Sequence, residues 1–184
     1  MRLPGSVRNL VLVGFMGSGK SSVGREIARR CGYRFLDTDS IIRRKHGKTI
    51  AEVFESSGEP FFRDEENLAL RELQTSFDAV IATGGGIVLQ ARNHALLRSL
   101  GVVVWLTASE EVIWERVSRN QNRPLLKTDN PRGTITTLLA VRNRLYDSVA
   151  HITVETSGLT HKQVADQVVA AVTVWSPDRH ENNR

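Results

Sequence analysis

A single cysteine, Cys31, stands among 184 residues, so no intrachain disulfide can form. Its place before Gly32, at the end of a helical stretch, suits ordinary packing in a reducing compartment. No early run approaches the ~18 consecutive apolar residues of a membrane span, and a glycine-rich loop that begins at Gly14 leaves little room for a removable leader. No internal repeat is visible. The densest basic cluster, Arg43, Arg44, Lys45, His46 and Lys48, has no aromatic residue interleaved with it and fits no nucleic-acid motif, so it reads as a solvated helix face. The expectation is a cytoplasmic, monomeric protein with no nucleic-acid or membrane partner.

What is present is an ordinary globular composition, 40% hydrophobic and 24% charged. The length suits one domain, taken as residues 1–175 with a frayed tail over 176–184. The net charge of +5 and pI near 9.9 favour anionic ligands without saying which.

The stretch from Gly14 to Ser21 reads Gly-Phe-Met-Gly-Ser-Gly-Lys-Ser and matches the phosphate-binding pattern G-x-x-x-x-G-K-[ST]. It follows the apolar run Leu10 to Val13 and precedes Ser22 to Cys31, where Val23, Ile27 and Ala28 share a helical face. The context is strand, loop, helix. In such a loop successive backbone N–H groups cradle a polyphosphate, Lys20 neutralises the β- and γ-phosphates, and the Ser21 hydroxyl is one ligand of the accompanying Mg²⁺.

Further strands are expected at Arg34 to Asp37, Ala79 to Ala82, Val102 to Leu106 and His151 to Val154. Between the second and third lies a helical insertion over about 40–74, with breaks at Gly47 and at Ser56-Ser57-Gly58, then a helix from Glu59 to Gln74 that carries Arg63. Phe61, Leu68, Leu70 and Leu73 are its apolar residues. Helices are expected at Gln90 to Leu100, from Ser109 to Ser118, at Thr134 to Ser148 and at Thr160 to Val174. The polar, proline-bearing segment 119–133 has no period and reads as a mobile lid. Five strands alternating with helices imply an α/β fold, a doubly wound parallel sheet with ligands at the strand C-termini.

That sheet edge gathers an acceptor pocket. Asp37 and Asp39 close the second strand, Thr83-Gly84-Gly85-Gly86 the third, and Arg63 and Arg144 lie on helices nearby. The third strand ends without an aspartate, which makes Asp37 the candidate metal-side carboxylate. Asp39 can take a proton from a substrate hydroxyl or simply cap the following helix, and the residues alone leave this open. Arg63 and Arg144 can grip a carboxylate. Arg123, in Arg-Pro-Leu-Leu, can reach a transferring phosphate when the lid closes.

Gly14 to Ser21, Asp37-Thr38-Asp39, Phe62-Arg63, Thr83 to Gly86, Arg123 to Leu126 and Arg144-Leu145-Tyr146, in this order and spacing, closely resemble shikimate kinase over roughly Asn9 to Val172. The resemblance implies a three-layer P-loop kinase fold with strand order 2-3-1-4-5. It also implies ATP-dependent phosphorylation of the shikimate 3-hydroxyl, on the way to chorismate and the aromatic amino acids. Carried over by position, Gly17, Ser18, Gly19, Lys20, Ser21, Ser22 and Arg123 bind ATP, with Arg119 against adenine and Thr156-Ser157-Gly158 as the other adenine wall. Asp39, Arg63, Gly84, Gly85, Gly86 and Arg144 bind shikimate. Ser21 and Asp37 form the Mg²⁺ side, and Lys20, Asp39 and Arg123 carry the chemistry. A gluconate-type kinase shares the phosphate loop and a carboxylate-bearing substrate; Asp39, the triple glycine and Arg144 together separate the two.

Overall fold

Leu10, Leu12, Val11 and Val13 alternate along one strand, yet all are fully buried, because both faces of that strand are covered. The computed structural model describes residues 3–4, 7–118, 126 and 128–175. Strand β1 (Asn9–Val13) lies at the centre of a sheet whose other members are β2 (Arg34–Asp37), β3 (Ala79–Ala82), β4 (Val102–Thr107) and β5 (Ile152–Glu155). The order is β2-β3-β1-β4-β5, with every pairing parallel. All five C-terminal ends therefore open on one edge.

The strands' two faces feed two separate cores. Leu10, Leu12, Val80, Val104 and Leu106 pack against α1 (Lys20–Cys31) and α7 (His161–Val174) through Val23, Ile27, Val164 and Val168. Val11, Val13, Ile81 and Val103 pack on the other side against α3 (Ile50–Glu72), α4 (Arg92–Leu100), α5 (Glu110–Ser118) and α6 (Pro131–Val149). The result is three layers, as the alternating pattern requires. At the N-terminal end of the strands, buried Asn9 donates to Ser76 O and Leu100 O at 2.9 and 2.8 Å and accepts from Ala79 N at 3.1 Å, closing off the edge opposite the loops.

Helix ends follow local chemistry. Gly32 ends α1 in the left-handed region at φ 73°. Ser109 Oγ accepts from Val112 N at 3.3 Å at the start of α5. The insertion consists of α2 (Thr38–His46) and α3, the latter opened by a reciprocal Thr49/Glu52 capping box. The expected break near Gly58 is present: at φ 79° and ψ 169° Gly58 is not helical and divides α3 into two helical arms, Pro60 lying in the second. Helix α6 starts at Pro131, inside the expected lid, with Asn130 Oδ1 accepting from Gly133 N. The remainder of that lid, 119–125 and 127, and the tail 176–184 lie outside the described residues. Among the described residues no helix is long and apolar enough to cross a membrane.

Candidate active site

Gly19 stands at φ 94° and passes the chain from the loop after β1 into α1, so the first N–H groups of that helix face the open edge of the sheet. Lys20 is buried at 8% exposure, and its Nζ donates to Gly14 O and Phe15 O, both at 2.8 Å, which holds the ammonium against the loop. Ser21 Oγ donates to Asp37 Oδ2 at 3.0 Å. A cavity of about 350 Å³ opens here, lined by Gly17, Gly19, Lys20, Ser21, Ser22 and Asp37 among others. Ser18 is not part of its lining; the side chain is buried behind the loop.

Asp37, not Asp39, caps α2, through a 3.0 Å bond from Ser40 N to Oδ1. The helix begins at Thr38, which moves Asp39 into the first turn and frees it from the capping role that the residues alone left open. A second cavity, of about 90 Å³, has Asp39, Arg63, Glu66, Gly84, Gly85, Gly86 and Arg142 as polar wall and Met16, Ile50, Phe54 and Phe62 as apolar wall. Asp39, Met16 and Gly85 line both cavities. Asp39 thus stands at the boundary between the larger cavity on the phosphate loop and a small polar pocket.

The glycine run makes that pocket possible by close approach. A Cβ on Gly84 would lie 2.6 Å from Glu66 Oε1 and 2.8 Å from Asp39 Oδ1, and one on Gly86 would lie 2.0 Å from Arg63 Nη1. The Gly84 N–H donates to Thr38 Oγ1 at 3.0 Å, tying the run to α2.

Charge in the pocket is arranged in pairs. Buried Arg63 donates to Glu66 Oε2 at 2.6 Å and, through Nε and Nη2, to Glu59 Oε1 at 3.1 and 2.6 Å. Glu66 is fully buried, and burial pushes its carboxyl up to about 7 although Arg63 pulls the other way; the nearby Asp39 charge adds to the rise. Its Oε1 has no hydrogen-bond partner among the described residues. A buried carboxyl with an open acceptor, beside Arg63 and Arg142, is suited to a ligand that brings both hydroxyls and a negative charge.

One expected site residue is misplaced. Arg144 is exposed and lines neither cavity, whereas Arg142, two positions earlier, is 3% exposed and lines the polar pocket. The reason is helix geometry: Ile135, Leu139, Arg142, Tyr146 and Val149 form the buried stripe of α6, and two residues amount to about 200° of rotation, which turns Arg144 to solvent. Arg119 and Arg123 lie outside the described residues. Within them, Arg116 on α5 reaches the phosphate loop, donating from Nη1 to Gly17 O at 3.1 Å and Thr156 Oγ1 at 3.0 Å and from Nη2 to Thr156 O at 3.0 Å. It lines the larger cavity together with His161, the first residue of α7. Sequence reasoning passed over Arg116, His161 and Glu66; Arg116 follows buried Ile113 by three positions and Glu66 follows buried Phe62 by four, the spacing of one helix face.

A parallel five-stranded sheet with a lysine-bearing phosphate loop on its central strand, a serine–aspartate pair beside it and a small charged pocket across a shared carboxylate defines a small-molecule kinase of the phosphate-loop type. The shikimate kinase family model matches residues 16–173. The chain is 44% identical over 172 residues to the shikimate kinase of Geobacter sulfurreducens, covering 94% of each, and 42% identical over 163 residues to that of Thermodesulfovibrio yellowstonii, covering 89% of this chain and 94% of the relative. Among solved structures, the shikimate kinase of Acinetobacter baumannii in complex with shikimate superposes with a TM-score of 0.88 at 41% identity, over 91% of this chain and 93% of the other. The chain belongs to the shikimate kinase family, enzymes that transfer phosphate from ATP to shikimate.

Proposed function

We propose that this chain phosphorylates the 3-hydroxyl of shikimate with ATP, and that Asp39 is the residue on which the two substrates meet. The observation that carries the assignment is that Asp39 lines both cavities, so its carboxylate can face a hydroxyl on one side and a γ-phosphate on the other. The hydroxyl oxygen forms its bond to the γ-phosphorus as the bond to ADP breaks, and Asp39 accepts the hydroxyl proton. Lys20 and the backbone N–H groups of residues 17–22 hold the phosphates, and Arg116 and His161 border the nucleotide side. Arg123 is assigned to the transferring phosphoryl group on its place in the Arg-Pro-Leu-Leu segment. Arg63 and Arg142 are assigned to the shikimate carboxylate, since a planar guanidinium fork matches a carboxylate bidentately.

The Ser21 hydroxyl and Asp37 carboxylate supply the hard oxygen donors that Mg²⁺ takes alongside nucleotide phosphates. When bound, the ion neutralises charge on the phosphate oxygens. A cytoplasmic monomer acting on two soluble anions is the setting we assign, in line with the net charge of +5.

The test is an ADP-release assay with and without shikimate on wild type, Arg142→Ala and Arg144→Ala. Turnover should require shikimate. Removing a desolvated charge-pairing arginine costs ~2–5 kcal/mol and ~1.4 kcal/mol is tenfold, so Arg142→Ala should raise the shikimate KM at least tenfold while Arg144→Ala stays within about twofold. The reverse order would return the role to Arg144.

A further inference from the structure

Resting on the assignment of Arg142 to the substrate carboxylate, we infer that Tyr146 is a positioning residue: by occupying the Gly85 carbonyl, its hydroxyl keeps the Arg142 guanidinium turned to the pocket. The two side chains stand one turn apart on α6 and reach the same acceptor. Tyr146 Oη donates to Gly85 O, while Arg142 Nη1 approaches that oxygen only at 3.4 Å, at the outer limit of a hydrogen bond. Arg142 Nε is buried with no hydrogen-bond partner among the described residues, and its Cζ lies 5.6 Å from the centre of the Phe15 ring. The guanidinium is therefore held beside the Tyr146 hydroxyl and against a ring face, with Nε still open to a ligand.

Tyr146 is built for a fixed role. It is fully buried, its ring stacks on Trp105 at 5.9 Å and 30°, and burial pushes its phenol far up, so the hydroxyl stays a donor across the working pH range. Without that donor the half-buried Gly85 carbonyl loses its good partner. An acceptor that has lost its partner recruits a donor already within reach, and Arg142 is the other side chain that reaches this oxygen. Its Nη1 would close the remaining distance and turn away from the substrate carboxylate. Gly85 also lines both cavities, so the same bond sets the backbone on which the two sites meet.

The experiment compares wild type, Arg142→Ala, Tyr146→Phe and the double variant on shikimate and on its neutral carboxamide, with KM and kcat for each and the ATP KM throughout. Tyr146→Phe removes one oxygen and keeps the ring. Its shikimate KM should rise about fivefold to tenfold with kcat and the ATP KM within about twofold. On the carboxamide it should match wild type, and the double variant should be no worse on shikimate than Arg142→Ala alone. Equal losses on both substrates, losses that add in the double variant, or a Tyr146→Phe protein that fails to fold would each overturn the inference, since each makes the hydroxyl a general structural requirement. If Arg142→Ala itself loses equally on both substrates, the carboxylate assignment fails instead, and the two failures are told apart.

Discussion

The Ser21 hydroxyl donates to Asp37 Oδ2 at 3.0 Å, while Oδ1 of the same carboxylate accepts from Ser40 N at 3.0 Å and caps α2. One side chain therefore joins the phosphate loop to the helix that carries Asp39. Asp37→Asn retains an oxygen for the cap and loses the charge facing the metal, so the Mg²⁺ concentration for half-maximal activity should rise about tenfold with little change in Tm. Asp37→Ala should add a loss of about 1 kcal/mol in stability from the missing cap. Metal titrations and thermal unfolding of both variants separate the roles; an unchanged Mg²⁺ requirement in both would remove Asp37 from the metal side.

Gly86 tests the close approach at the acceptor pocket. Its φ of −98° and ψ of 0° are open to alanine, so Gly86→Ala acts by bulk alone, with the new Cβ 2.0 Å from Arg63 Nη1. The guanidinium must shift. We expect the shikimate Kd to rise about tenfold or more and the ATP Kd to hold, measured by calorimetric titration. Unchanged shikimate binding would mean that Arg63 does not need its observed position.

Glu66 gives stability a pH dependence of defined sign. Burial pushes its carboxyl from an ordinary 4.5 in the exposed chain up to about 7 in the folded protein. Between those values the folded protein holds a proton that the unfolded chain has released, so this group's contribution is complete below about 4.5 and is lost as pH rises through about 7. The full swing is of order 3 kcal/mol. Glu66→Gln, which cannot ionise, should be close to wild type in stability at pH 5 and should gain on it towards pH 8, as read by urea unfolding at each pH. A difference that does not vary with pH would contradict the raised carboxyl.

The first strand, phosphate loop and first helix were legible because everything that specifies them is local: an apolar run, fixed spacing and a helical stripe. The sheet order came from family resemblance, since periodicity says that strands exist and not which lie side by side. The residues misjudged were those whose placement depends on helix rotation in a packed layer. Arg144 and Arg142 both sit in a polar-looking stretch, and only the run of buried positions at Ile135, Leu139, Tyr146 and Val149 identifies which of them faces inward. On α3 the same effect runs the other way. Of the four apolar residues read there, Leu70 and Leu73 are buried, but Phe61 and Leu68 are 37% and 47% exposed, while Arg63, Glu66 and Asn67 are buried. A charged pocket needs charged residues on the inward stripe, and binary patterning reads that as the outside. The break at Gly58 was visible and is present, since its φ and ψ are non-helical, and Phe54 and Phe62 on either side of it lie with ring centres 4.5 Å apart, which packs the two arms against each other.

The lone Cys31 bears on how substrate binding can be watched. It is packed at the end of α1 with 9% exposure, and burial pushes its thiol up, so it holds little of the reactive thiolate. The native chain is in effect silent to maleimides. A cysteine placed on the outer surface of α3, at Leu68 for example, would carry a fluorophore or spin label as a unique reporter, with no need to remove the native thiol from the core. The arm bearing Arg63 could then be followed directly as each substrate is added, in a protein whose interior is unaltered.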